Sequence, residues 1–136
     1  MPHDFVERFA TAWSKPTPEG LAGLLHEDVV LYQPHRPPLR GLESVLRENR
    51  KLLAWVPGLH SIVKSAHGDD RLLFIEHELT VPVGSRPICI PAVDRFHLEG
   101  GLAKERIVYF DRVDMLAGVL RHPSLWAGYL GYRFGA

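Results

Sequence analysis

Residues 86–113 read RPICIPAVDRFHLEGGLAKERIVYFDRV, and this stretch decides the fold. Apolar and β-branched side chains run through 86–99 and again through 102–113, a pattern typical of two β-strands. Gly100-Gly101 separates the two runs, and glycine pairs readily adopt the positive φ angles of tight hairpin turns. The sequence therefore predicts an antiparallel hairpin in this part of the chain.

Two further strands, over 59–67 and 71–82, precede this hairpin. The breaks are short, since His67-Gly68-Asp69-Asp70 separates the first two strands and Val83-Gly84-Ser85 leads into the hairpin. Such short connections favour antiparallel pairing of consecutive strands. The second half of the chain is therefore predicted to form a four-stranded antiparallel sheet.

The first half of the chain is mainly helical in its pattern. Apolar residues at helical spacing predict helices over 3–14 and 41–55, and a short helix capped by Thr17 extends to about His26. A short strand is predicted from Val29 to Gln33, and the proline-rich residues 34–38 are predicted to form an extended loop. Two short helices, over 115–121 and 124–132, follow the last strand.

Helices that precede a run of hairpins indicate an α+β fold, in which helices cover one face of a curved antiparallel sheet. Nothing in the pattern marks an internal boundary. We therefore expect residues 1–136 to form a single domain.

Composition excludes several classes of protein. The 16 Lys and Arg residues balance the 16 Asp and Glu residues, so the chain lacks the positive field that nucleic-acid binding needs. No long apolar run predicts a membrane span, and the N-terminus lacks the pattern of a secretory signal. A single cysteine excludes an intrachain disulfide, and the eight histidines show no close ligand pair. We expect a cytoplasmic protein without a metal site.

Three stretches carry a family resemblance. They are 29–34 with 41–43 opening the long helix, then 93–98 before the glycine turn, and 105–111, which ends in Tyr-Phe-Asp. In this order of elements they resemble the nuclear transport factor two-like superfamily, and within it the SnoaL-like proteins, ketosteroid isomerases and limonene epoxide hydrolases. The resemblance covers nearly the whole chain up to about residue 115.

The resemblance implies a ketosteroid isomerase-like, cystatin-type α+β barrel. In that fold a cone-shaped, curved antiparallel or mixed β-sheet wraps around the N-terminal helices, with a pocket at its wide end. It also implies a homodimer that binds a small hydrophobic molecule and needs no cofactor.

Individual residues match the family motifs only in part. Asp94 stands where ketosteroid isomerases place a pocket aspartic acid, which an apolar site keeps neutral so that it can donate a hydrogen bond to the substrate oxyanion. Phe9 and Gln33 stand where those enzymes have a tyrosine and the general-base aspartate. Asp111 matches the closing catalytic aspartate of epoxide hydrolases, and Tyr32 matches a tyrosine that holds the attacking water.

The predicted register decides whether these acids face one pocket. A turn at Gly100-Gly101 pairs residues whose numbers sum to about 201, so that Asp94 lies opposite Ile107 and shares a face with Asp111. The neighbouring hairpin leaves two alternatives. A three-residue turn at Gly84 places Glu78 on this face, whereas a two-residue turn places His77 there and leaves Glu76 and Glu78 outside.

We therefore predict acid/base catalysis without a cofactor, namely isomerisation, cyclisation or hydration of a hydrophobic oxygenated ligand such as a polyketide, terpenoid or steroid. Asp111 and Asp94 are the candidate catalytic residues. The candidate substrate-binding residues are Phe9, Trp13, Tyr32, Gln33, Trp55, Glu76, Glu78, Phe96 and Tyr109. The alternative is a dimeric binding module that holds an apolar ligand without converting it.

Overall fold

The computed structural model describes residues 3–135. The helices within this range are α1 (Asp4–Ser14), α2 (Pro18–Ala22), α3 (Leu42–Trp55), α4 (Arg112–Arg121) and α5 (Trp126–Phe134), with a turn of 3₁₀ helix at Pro123–Leu125. The strands are β1 (Leu25–Gln33), β2 (Arg36–Arg40), β3 (His60–Gly68), β4 (Leu72–Val81), β5 (Ile88–Glu99) and β6 (Leu102–Phe110). No helix in this range is long and apolar enough to span a bilayer.

The strands form one mixed sheet in the order β2-β1-β6-β5-β4-β3. Strands β1 and β6 run parallel, and the other neighbours run antiparallel. The sheet is curved but does not close into a barrel, because its two edge strands, β2 and β3, do not pair with each other. The predicted α+β fold is confirmed.

The N-terminal helices follow the expected local rules. Helix α1 buries Phe5, Phe9 and Trp13 on one face, at the spacing of helical turns. Thr17 caps α2 by accepting a hydrogen bond from the backbone N–H of Gly20, with Pro18 in the first turn. Helix α2 ends at Ala22, earlier than expected, because β1 already begins at Leu25.

The prediction of a loop over 34–38 is wrong for most of that segment. Strand β2 covers Arg36–Arg40 and pairs with β1 alone, at the edge of the sheet. Proline lacks a backbone N–H, and an edge strand leaves half of its backbone groups without a partner strand. Pro37 and Pro38 are exposed and are therefore tolerated in this edge strand.

A β-bulge at Lys104 changes the predicted register of the last hairpin. Next to the glycine turn the pairs are Glu99↔Leu102 and Leu98↔Ala103, as a sum of 201 requires. Beyond Lys104 the pairing shifts by one residue, so that Asp94 lies opposite Val108. Side chains along a strand alternate between the two faces of the sheet. The extra residue therefore exchanges the faces of residues 105–110 relative to the predicted register.

The β4–β5 hairpin has the register of the second alternative, with His77 on the inner face, although residues 82–87 rather than a two-residue turn connect the strands. Leu79 pairs with Ile90 and His77 pairs with Ala92. His77 is therefore buried on the inner face, whereas Glu76 is exposed on the outer face.

Candidate functional site

A cavity of about 90 Å³ lies between the inner face of the sheet and helices α3, α4 and α5. Its wall is mostly apolar and includes Leu52, Leu79, Ile90, Val108, Phe110, Met115, Val119 and Leu125. The polar side chains on the wall, apart from the two indoles, are Gln33, His35, Asn49, Arg106 and Tyr132. An apolar enclosure with a few polar groups is the usual form of a small-molecule site.

Three of the predicted substrate-binding residues line this cavity. Trp13 comes from α1, Gln33 from the end of β1 and Trp55 from the end of α3. The indole N–H of Trp55 donates to the backbone carbonyl of Leu125 at 3.1 Å, which ties α3 to the C-terminal segment. The side-chain oxygen of Gln33 is buried without a hydrogen-bond partner among residues 3–135.

Other predicted binding residues lie away from the cavity. Phe9 and Phe96 are fully buried in the hydrophobic core, where their ring centroids lie 5.7 Å apart. Tyr32 is half-buried on β1 and does not contribute to the cavity wall. Glu76 is exposed and accepts a hydrogen bond from Ser65, and Glu78 is half-buried outside the wall.

The bulge at Lys104 also moves Tyr109 and Asp111 away from the predicted face. Tyr109 is 51% exposed. Asp111 is exposed and caps helix α4, where its carboxylate accepts hydrogen bonds from the backbone N–H groups of Val113 and Asp114 at 2.8 and 3.3 Å. The expectation that Asp94 and Asp111 share one pocket face is therefore wrong, because the two side chains lie on opposite faces.

Asp94 is fully buried beside the cavity rather than on its wall. One carboxylate oxygen lies 2.9 Å from Nε2 of His77, and the other accepts a hydrogen bond from Nε of Arg106 at 2.8 Å and lies 2.6 Å from Nη2 of the same guanidinium group. Burial raises the pKa of Asp94, but the charge of Arg106 and the hydrogen bond to His77 outweigh burial and hold the pKa below its usual value. The expectation of a neutral, proton-donating Asp94 is therefore wrong.

His77 extends this buried chain to Ser61. Its Nδ1 lies 2.6 Å from Oγ of Ser61, and this hydroxyl donates its proton to the backbone carbonyl of Glu78. Ser61, His77 and Asp94 follow the order of a Ser-His-Asp triad, but Ser61 is 3% exposed and does not line the cavity. Ser61 therefore lies away from a ligand in the cavity, and the contacts through His77 and Asp94 link it to Arg106.

A second polar cluster does reach the cavity. The hydroxyl of Tyr132 on α5 donates to Oε2 of Glu48 on α3, and it lies 2.6 Å from Nε2 of His35. Arg36 closes the cluster, with Nη2 3.1 Å from Oε1 of Glu48 and Nη1 3.1 Å from the carbonyl of Tyr132. Burial and the charge of Glu48 raise the pKa of Tyr132 well above its ordinary value, so its hydroxyl keeps its proton.

These contacts decide the tautomer of His35. Because the single proton of the Tyr132 hydroxyl is donated to Glu48, Nε2 of His35 must carry a proton and donate it to that hydroxyl. Nδ1 is then an unprotonated acceptor, and it is buried without a hydrogen-bond partner among the described residues. Burial, followed by the charges of Arg36, Arg133 and Arg112, lowers the pKa of His35 from 6.5 to about 4.

Sequence reasoning missed His35, Glu48, Arg106 and Tyr132. His35 and Tyr132 are 97 positions apart, and Tyr132 and Glu48 are 84 positions apart, so no local spacing links them. One usable signal was Glu48, an acid on the apolar stripe of the long helix three residues after Val45. Within 3–135 no three His, Cys, Asp or Glu side chains lie together as a metal site would require.

Comparisons with known proteins agree with this fold. Residues 6–106 match the sequence profile of the SnoaL-like domain family. No curated protein sequence matches the chain. Many solved structures share the fold, at sequence identities of 20% or less for the three described next.

A Catenulispora acidiphila protein with a ketosteroid isomerase-like fold, in complex with trimethylamine, superposes with a TM-score of 0.76 at 18% identity, over 86% of this chain and 92% of that chain. An epoxide hydrolase of the limonene epoxide hydrolase-like type from M. tuberculosis has a TM-score of 0.70 at 20% identity, over 90% and 92%. A candidate SnoaL-like polyketide cyclase from Jannaschia sp. CCS1 has a TM-score of 0.67 at 18% identity, over 88% and 91%. At these identities the similarity establishes the fold and not the chemistry.

Proposed function

Since the chain belongs to the family of SnoaL-like domains, we propose that its cavity binds a small, mainly apolar, oxygen-bearing molecule and catalyses proton transfer without a cofactor. In this proposal His35 is the general base. Glu48 and Tyr132 hold its ring in the tautomer that leaves Nδ1 free. Asp94 and Asp111, the acids singled out from the sequence, have no contact with the cavity and take no part.

The observation that carries this proposal is the unpartnered Nδ1 of His35 beside an apolar cavity. A buried acceptor without a partner costs free energy, on the order of 1–3 kcal/mol. A ligand hydroxyl, an acidic C–H or a bound water would each present a proton to this atom. Histidine is the side chain most often used for such proton transfer.

The size of the cavity favours a small ligand. Its volume of about 90 Å³ is below the roughly 150 Å³ of an apolar protein cavity known to accept benzene. A steroid or a fused polyketide would have to displace α4 and α5, which form one side of the cavity. Without such a displacement, the volume favours a molecule smaller than a terpenoid, a polyketide or a steroid.

One observation favours a binding module without catalysis. A base with a pKa of about 4 removes protons only from comparatively acidic groups. In that case Nδ1 of His35 would serve as a hydrogen-bond acceptor that orients a ligand hydroxyl.

Proton exchange into a small probe separates the two functions. Pentane-2,4-dione is compact and carries acidic C3 protons, whose replacement by deuterium in D₂O is followed by NMR. The proposal expects the protein to accelerate this exchange above buffer, and His35→Gln to reduce the acceleration by about 100-fold or more. His67→Gln, at an exposed histidine away from the cavity, is the matched control.

The possible outcomes have distinct meanings. Binding of the dione without accelerated exchange would support the binding module and contradict the proton-transfer enzyme. Acceleration that survives in His35→Gln would overturn the role of His35. Lack of binding would contradict the cavity function as a whole.

A further inference from the structure

Arg106 is the one permanently charged side chain on the cavity wall formed by residues 3–135. Aspartate, glutamate and lysine are absent from that wall, and the lowered pKa of His35 keeps this histidine uncharged at neutral pH. A cation on a mostly apolar cavity wall strongly limits which ligands the cavity can bind. The low dielectric constant of such a cavity strengthens the interaction between the cation and a charged ligand group.

The guanidinium group of Arg106 is held in a fixed orientation. Its Nε donates to one oxygen of Asp94 at 2.8 Å, and its Nη2 lies 2.6 Å from the same oxygen in an ion pair. Its Cζ lies 5.5 Å from the ring centre of Trp13 and 5.8 Å from that of Phe96, within the range of cation–π contacts. Such a group can bind a ligand without losing further conformational freedom.

Part of the binding capacity of Arg106 is unused. Within 3–135, Nη1 makes no hydrogen bond, so its two N–H donors are available. Asp94 does not interact with Arg106 alone, because its other carboxylate oxygen lies 2.9 Å from Nε2 of His77. The arginine therefore retains donor capacity on the cavity wall.

We propose that Arg106 binds a carboxylate, so that the ligand is a small acid with an apolar body. This inference rests on the proposed function, since it assumes that the cavity is the ligand site, and it adds the chemical class of the ligand. Arginine matches the planar geometry of a carboxylate better than any other side chain does. The apolar wall accommodates the body of the ligand, and Gln33 and His35 offer acceptors to a hydroxyl elsewhere on it.

Two probes of nearly equal shape test the charge requirement. The first is 3-methylbutanoate, and the second is the neutral 3-methylbutanamide. Isothermal titration calorimetry of the full chain at pH 7 is expected to give at least about tenfold tighter binding of the carboxylate, which corresponds to one hydrogen bond to a charged group. In ¹H–¹⁵N spectra the Nε–H signal of Arg106 should shift with the carboxylate and not with the amide.

Variants identify the residue responsible. Arg106→Lys keeps a positive charge opposite Asp94 but loses the planar set of N–H donors of the guanidinium group. This variant should lose most of the preference for the carboxylate. Arg95→Lys on β5, which does not line the cavity, is the matched control and should retain the preference. The spectra of the unmodified protein test the inference even if Arg106→Lys fails to fold.

Equal affinity for the two probes would overturn the carboxylate inference and leave the cavity function standing. A preference for the carboxylate that is unchanged in Arg106→Lys, with no shift of the Arg106 signal, would also overturn it. Failure of both probes to bind would contradict this inference and the cavity function together.

Discussion

Arg106 on β6 forms an ion pair and a hydrogen bond with one carboxylate oxygen of Asp94 on β5, across the last hairpin. The pair exists because the bulge at Lys104 turns Arg106 toward the inner face, onto which Asp94 also points. In a hairpin without the bulge, Arg106 would face outward and Asp94 would be left buried without its cation. One inserted residue therefore decides which charged groups meet inside this protein.

Removal of the Arg106 side chain should strongly destabilise the fold. Arg106→Ala leaves the fully buried Asp94 without its cation, and loss of one partner from a buried ion pair costs about 3–5 kcal/mol. Deletion of Lys104 should instead retain the pair, because Leu98↔Ala103 and His97↔Glu105 then become consecutive pairs of a regular ladder. Urea unfolding measures both changes. Lys104→Ala is the control, since it loses only an exposed ion pair with Glu99, at 3.2 Å, and should change stability by less than about 1 kcal/mol. A deletion variant as unstable as Arg106→Ala would contradict the pairing described for this hairpin.

His35 should titrate far below the ordinary pKa of a histidine side chain. We expect ¹⁵N spectra to show a neutral ring protonated at Nε2 at pH 7, with a pKa of about 4. Tyr132→Phe removes the hydroxyl that accepts the Nε2 proton, so in this variant the preference for that tautomer should weaken. A pKa near 6.5 in the unmodified protein would contradict the burial of the His35 ring and its closeness to arginine side chains.

The depressed pKa of His35 implies a particular dependence of stability on pH. The unfolded chain binds a proton at this histidine below about pH 6.5, whereas the folded chain binds it only below about pH 4. Between these values the unfolded state holds more protons, so the free energy of unfolding should fall as pH falls from 6.5 to 4. For His35 alone the loss is about 3 kcal/mol.

Urea unfolding at several pH values, compared between the wild type and His35→Gln, isolates this contribution. The variant should show a shallower dependence between pH 4 and 6.5, and His67→Gln should follow the wild type. Any proton-transfer activity that depends on His35 should also be lost as pH falls through about 4, because the ring is then protonated and no longer acts as a base. Parallel pH profiles of wild type and His35→Gln would refute this account.

Asp111 should matter for stability and not for the cavity. Asp111→Ala removes the cap of α4 and should cost about 1 kcal/mol in thermal or urea unfolding. Asp111→Asn retains a good capping side chain and should be nearly neutral. Dione exchange, measured on the folded fraction, should be unchanged in both variants. A large loss of exchange in Asp111→Asn would instead support the catalytic role inferred from the family motif.

The sequence determined the order and type of most elements. Helix α3 was predicted over 41–55 and runs from Leu42 to Trp55, and the four strands after it lie within a few residues of their predicted bounds. These features depend on periodicity, capping and glycine turns, which are properties of neighbouring residues. The family resemblance rests on the same local stretches and was confirmed by the match over 6–106.

Only the tertiary structure decided which polar groups meet. The bulge at Lys104 reversed the face of Tyr109 and Asp111, and the register of the β4–β5 hairpin placed His77 on the inner face. A strand repeats every two residues, so an uncertainty of one residue in register exchanges its two faces. The contact of His35 with Tyr132 joins positions 97 residues apart, and such a contact depends on how α5 packs against α3 and the end of β1. Local spacing carries no information about packing between distant segments, and the candidate site of this protein is built from such packing.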